Sequence, residues 1–166
     1  MDKVNSKKRI RFIPLVLSIG IPLALGGITA MLMPNMKDVY SGLTKPVFAP
    51  PAFVFPIIWT ILYIMMGIAS YKVYILKYDG IDTSSALFVY SIQLLLNFLW
   101  TFIFFGFRLY GVAFIELVIL IFFVLLTIKR FYDKAGKGAA LLMVPYLIWL
   151  AYAGVLNFCV WMLNEM

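Results

Sequence analysis

Apolar residues fall in long blocks. Four runs carry no charge, Phe12 to Met33, Phe48 to Tyr71, Ser84 to Phe107 and Gly138 to Asn164, and a fifth, Leu109 to Ile128, is broken only by Glu116. Each has the roughly 20 residues that let an α-helix cross a hydrocarbon core of ~30 Å. Strands of a membrane barrel would be ~10 residues long and alternate in polarity. The pattern predicts an all-α integral membrane protein, a bundle of five transmembrane helices at about 12–33, 50–76, 84–106, 109–130 and 138–164, in one domain spanning 1–166. The first run follows a basic segment, as a signal peptide would, but a signal core is about 7–15 residues and ends at small residues. This run is longer and ends in "MLMP", so it reads as a retained helix.

The connections are short and polar except Pro34 to Ala49, which carries Asn35, Ser41-Gly42 and Pro46, all turn-forming chemistry. Helix 2 is expected to start at Pro50-Pro51, where a missing N–H costs nothing, with Pro56 bending or stiffening its first part. "KYDGIDTSS" reads as a turn ending in Ser/Thr caps for helix 3, and Gly106, Arg108 and Gly111 as a tight hairpin into helix 4. "KRFYDKAGKG" turns into helix 5. No internal repeat is visible, and an odd helix count disfavours the inverted-repeat plan of many secondary transporters.

Composition agrees with the membrane reading: 64% of the 166 residues are hydrophobic, 13% are charged and the mean hydropathy is +1.01. The net charge of +7 follows topology and needs no nucleic-acid partner. Lys3, Lys7, Lys8, Arg9, Arg11, Lys72, Lys77, Lys129, Arg130, Lys134 and Lys137 fall on one side, and only Lys37, Lys45 and Arg108 on the other. The positive-inside rule places the N-terminus in the cytoplasm, and a bacterial cytoplasmic membrane is the expected location. The single cysteine, Cys159, permits no intrachain disulfide, and the absence of histidine removes the commonest haem-iron ligand and His-based acid–base catalysis.

Polar groups at membrane depth carry the information that apolar surface cannot. On helix 3, Gln93, Asn97, Trp100, Thr101 and Phe104 share one face; on helix 5, Pro145, Trp149, Tyr152, Ala153, Leu156 and Asn157 do so; on helix 2, Trp59, Tyr63, Met66 and Gly67. Flat aromatics with a few hydrogen-bonding groups suit a planar, largely apolar ligand. The competing reading is interhelical packing, in which amides bond across helices and aromatics fill space. Trp161 reads as an interface anchor, and Gly26 with Ala30 as a small-residue contact. Glu116, the sole ionisable group deep in a span, has no basic partner for a proton relay, so a structural hydrogen bond is favoured. No nucleophile–base set, phosphate loop or clustered metal ligands are present, so no metal site is expected and no cofactor is required.

These stretches together resemble a known family. "YSGLTKPVFAPPAFVFPIIWTILYIMMGIAS" from Tyr40, "QLLLNFLWTFIFF", "FIEL" with Glu116, and "PYLIWLAYAGVLN" are similar, in order and spacing, to the TspO/MBR family of tryptophan-rich sensory proteins and translocator (peripheral benzodiazepine receptor) proteins. The resemblance covers nearly the whole chain. It implies a five-helix bundle, often a homodimer, with a pocket roofed by the loop between helices 1 and 2. Members bind porphyrins, notably protoporphyrin IX, and isoquinoline or benzodiazepine drugs; some bind cholesterol. Some bacterial members promote light- and oxygen-dependent porphyrin breakdown through two pocket tryptophans, which by motif position resemble Trp59 and Trp149. Tyr40, Pro51, Asn97, Trp100 and Ala153 match positions lining or adjoining the pocket; with Trp59, Trp149 and the face residues Tyr63 and Phe104, these are the expected ligand contacts. Many members carry tryptophan where this chain has Val39 and Phe48, and "VLNFCVWMLNEM" lacks the basic residue of the mammalian cholesterol motif. The expected function is a tetrapyrrole receptor in the bilayer. Light-driven porphyrin breakdown without a conventional active site extends it. The alternatives are a transporter of porphyrin or another small apolar molecule such as a sterol, and a ligand-controlled scaffold.

Overall fold

The computed structural model describes residues 10–166; Lys3, Lys7, Lys8 and Arg9 of the basic N-terminal cluster lie outside the described residues. Among the described residues, five helices are long and apolar enough to cross a membrane. These are α1 (Phe12–Leu32), α3 (Val54–Tyr74), α4 (Ser84–Thr101), α5 (Tyr110–Ala135) and α7 (Val144–Asn164). Two short helices connect them, α2 (Met36–Gly42) before α3 and α6 (Lys137–Leu141) before α7. Large side chains such as Phe12, Ile57, Phe88, Ile115, Phe122 and Ile148 stand exposed around the bundle. In water that surface would drive aggregation; in lipid it is the solvated face. The protein is an integral membrane protein.

Glycines set how closely α1 lies against α3. A Cβ on Gly67 would sit 2.5 Å from the Ile19 Cα and 2.8 Å from the Ser18 carbonyl, so only hydrogen fits there. In return, Gly26 receives the Tyr63 ring edge, 2.5 Å from where a Cβ would be. Ala30, its expected companion, is exposed. The main core lies between α3, α4, α5 and α7 and includes Met66, Leu94, Leu120, Phe131, Tyr146 and Leu150. A smaller aromatic core of Phe104, Tyr110, Ala113, Leu156 and Val160 closes the end where the α1–α3 connection sits.

Several boundaries differ from expectation for local reasons. α3 begins at Val54 rather than at Pro50-Pro51, because the carbonyl of Pro51 accepts from the Val54 N–H in a preceding turn at 3.0 Å. Pro56 therefore falls in the first helical turn, where it needs no donor and does not kink the helix. α4 has no Ser/Thr side-chain cap; Asp82 takes its place, accepting from the Ser84 N–H at 2.9 Å and the Ser84 hydroxyl at 2.6 Å. α4 ends in a π turn over Phe102–Gly106, with the Phe107 N–H donating to the Phe102 carbonyl at 2.9 Å. Arg108 then takes the left-handed conformation at φ 57° to reverse the chain. α5 runs on to Ala135, past the expected end near 130, until Gly136 at φ 76° stops it. The fifth span is broken at Leu142–Met143, just before Pro145.

Candidate functional site

The connection between α1 and α3 folds over the end of the bundle and is fastened there by polar bonds. The Tyr40 hydroxyl donates to the Pro50 carbonyl at 2.7 Å, closing the segment on itself. The Lys45 ammonium donates to the carbonyls of Tyr40 (2.7 Å), Leu43 (3.0 Å) and Ser41 (3.3 Å), satisfying the free C-terminal carbonyls of α2. Three bonds, from two residues of α7, tie the segment to that helix. Asn164 accepts from the Thr44 N–H at 3.0 Å and donates to its carbonyl at 2.9 Å, and the Tyr152 hydroxyl donates to the Phe48 carbonyl at 3.0 Å. Burial and then the nearby Tyr152 push the Tyr40 phenol above its ordinary value, so it stays a donor.

Beneath this cover the aromatic rings form three groups. In the first, Tyr40 meets Phe55 edge-on at 5.0 Å, Phe55 meets Trp149 at 5.9 Å, Trp149 leans on Tyr152 at 5.4 Å, and Tyr152 meets Phe48 at 6.3 Å. In the second, Trp59 lies 5.4 Å from Tyr63 and 6.0 Å from Tyr146, and the Asn97 amide donates to the Tyr63 hydroxyl at 3.4 Å. Phe55 lies one turn before Trp59 on α3, so one helix face joins the two groups. In the third, the Trp100 indole N–H donates to Asn157 at 3.2 Å and its ring stacks on Phe104 at 4.9 Å. Asn157 passes the connection on, donating to the Tyr110 carbonyl at 2.8 Å. Ala153 sits one turn beyond Trp149 and packs against the main core; Pro51 lies in the turn entering α3.

Of the expected ligand contacts, Tyr40 and Trp149 thus join one group and Trp59, Tyr63 and Asn97 a second. Trp100 and Phe104 are drawn instead into the small end core, with Trp100 also touching the main one. Within each group the rings touch one another. The void beside Tyr63 and Asn97 is too small to admit a water molecule. The larger cavity, about 760 Å³, lies elsewhere, between α1, α3 and α4.

The chain matches the model of the TspO/MBR family over residues 18–162. It belongs to that family. The tryptophan-rich protein TspO of Chlorobaculum tepidum is 37% identical over 155 residues, covering 93% of this chain and 98% of that one. The tryptophan-rich sensory protein of Cereibacter sphaeroides is 37% identical, covering 92% and 90%. The human translocator protein is 41% identical, covering 76% and 75%.

Three features of this TspO/MBR chain differ from, or add to, the sequence reading. Trp161, read from the sequence as an interface anchor, also packs between α7 and α5. It stacks on Phe114 at 6.1 Å and fills the space above Gly111, where a Cβ would lie 2.7 Å from the indole. Glu116 makes no structural hydrogen bond: both its oxygens are buried and have no partner among the described residues. The same is true of the Gln93 carbonyl and the Tyr90 and Tyr146 hydroxyls. Phe55, Lys45 and Asn164 were not among the expected site residues. Phe55 was within reach, since it stands four residues before Trp59 and eight before Tyr63. The partners of Lys45 and Asn164 are backbone atoms, which leave no mark in the residue pattern.

Proposed function

We propose that the protein is a membrane receptor for tetrapyrroles, with free-base protoporphyrin IX as the ligand. The observation that carries this reading is the continuous run of rings Phe48–Tyr152–Trp149–Phe55–Tyr40, which leaves the cover, crosses α7 and α3 and returns to it, with Trp59, Tyr63 and Asn97 one turn further along. Flat rings offer a macrocycle stacking area at low entropic cost. The lack of histidine in the sequence favours a metal-free ring. Because these rings pack against one another, the ligand enters by displacing the cover and parting Phe55 from Trp149. In this role Trp149 and Trp59 are the electron-rich faces against the macrocycle, and Asn97 exchanges Tyr63 for a ligand polar group.

The test is a protoporphyrin IX titration of the detergent-solubilised protein, following tryptophan quenching in darkness and then porphyrin absorbance under light and oxygen. Saturable quenching supports the receptor, and its absence overturns it. Trp149→Phe and Trp59→Phe are expected to bind within a few-fold of wild type. Bleaching in the wild type that both variants lose would add photo-oxidative breakdown to binding. Saturable, pocket-dependent uptake into sealed vesicles would favour transport.

A further inference from the structure

The cavity of about 760 Å³ has no part in the aromatic site. It is a groove between the first half of α1, the last turns of α3 and the first half of α4, at the opposite end of the bundle from the cover. Its size falls within the ~300–1,000 Å³ of ligand pockets. Its chemistry is layered. Arg11, Tyr74 and Tyr78 form the mouth. Ser70, Tyr90 and Ser91 form a band of hydroxyls, and Leu17, Ile21, Leu87 and Leu94 an apolar wall.

The polar mouth is built for an acceptor. The Arg11 guanidinium rests 3.5 Å over the Tyr78 ring while its backbone N–H donates to the Tyr71 hydroxyl at 3.0 Å, which fixes the start of α1 against α3. Lys77 bonds the Tyr74 hydroxyl, with its ammonium 3.7 Å over the Tyr74 ring and 5.1 Å from that of Tyr78. Both cations thus lie near the Tyr78 ring, Arg11 in the lining of the groove and Lys77 just outside it. The carboxylates of the same loop, Asp79 and Asp82, do not line the groove, and Asp82 is held by Ser84. Inside, Tyr90 is only 6% exposed and its hydroxyl has no partner in hydrogen-bond geometry; the neighbouring Ser70 gives its proton to the Gly67 carbonyl at 3.0 Å. The Ser70 oxygen keeps its lone pairs for the Tyr90 hydroxyl, so these two side chains close the floor of the groove from within.

We propose that this groove holds one anionic glycerophospholipid of the surrounding bilayer. Its phosphate lies against Arg11 at the mouth, with Lys77 next to it across the Tyr78 ring, and one acyl chain runs along Leu17, Ile21 and Leu94. A basic mouth above an apolar wall is complementary to an anionic headgroup on a hydrocarbon tail. A second copy of the chain would bring like charge to the mouth, and a free anion would leave the wall unused. The proposal is independent of the tetrapyrrole reading.

The test reconstitutes the protein with equal amounts of phosphatidylglycerol and phosphatidylcholine of identical chains, then counts retained lipids by native mass spectrometry. One phosphatidylglycerol per chain is expected, held over phosphatidylcholine by about tenfold. The Arg11→Gln/Lys77→Gln double variant, altered only at exposed positions, should lose the headgroup preference. Ser91→Trp should lose retention of both lipids, whereas Phe122→Trp, outside the groove, should not. A wild type without a stoichiometric lipid, or a double variant with unchanged preference, overturns the proposal. So does displacement by millimolar inorganic phosphate, which would make the mouth a site for a soluble anion.

Discussion

Single side chains here divide into those that fit their surroundings and those that strain against them. Gly67 admits the α1 backbone, so Gly67→Ala should force α1 from α3 and cost about 1–3 kcal/mol, read as a lower unfolding temperature in detergent. Glu116 stands at the other extreme, a buried carboxyl with both oxygens unpartnered. A group that makes no bond contributes no stability, so Glu116→Leu should raise the unfolding temperature while leaving porphyrin quenching unchanged. If quenching is lost instead, the carboxyl serves the ligand. Asn97→Ala should weaken porphyrin binding by roughly fivefold, the worth of one hydrogen bond of ~1 kcal/mol.

The helices owe their existence to composition and their ends to tertiary partners, and that difference marks what was readable in the sequence. Long apolar runs, one of them broken only by Glu116, announced all five spans, since no other backbone structure survives in lipid without a closed barrel. The ends were less legible. Pro50-Pro51 looked like a helix start because the rule for proline is local, whereas the turn before Val54 is shaped by the cover it belongs to. Thr83 and Ser84 looked like caps, but the oxygen in use is that of Asp82. Hydrogen bonds from the Ser84 hydroxyl and then its N–H hold that carboxyl below the usual range. Its contribution is therefore full above roughly pH 4 and fades as pH falls through the lowered folded value. The protection of the Ser84 amide, its exchange measured against the intrinsic rate at the same pH, should fall below that window and already at neutral pH in Asp82→Ala. The same logic applies to the site. Helical spacing collected Trp59 with Tyr63 and Asn97 with Trp100. It could not tell that Trp100 would turn to Asn157 and the end core, because that choice depends on a partner on another helix.

Across the whole molecule the two ends of the bundle are built from different materials. One end presents Arg11, Lys72, Lys77, Lys129, Lys134 and Lys137; the other carries the cover, with Lys45 spent on three backbone carbonyls. On the positive-inside reading the cover faces out. In a Cys159→Ser background, a cysteine at position 44 should react with an impermeant maleimide on intact cells, and one at position 134 only after permeabilisation. The cover end is drawn shut by neighbours on α7. Asn164 clasps Thr44, while the Glu165 carboxylate accepts from the N–H groups of Tyr110 (2.8 Å) and Gly111 (2.9 Å), capping the start of α5. Synthesis runs from N- to C-terminus, so every part these two residues fasten is made before they are. An emerging chain inserts its spans with the roof loose and α5 uncapped, and latches both only once residues 164 and 165 have left the ribosome.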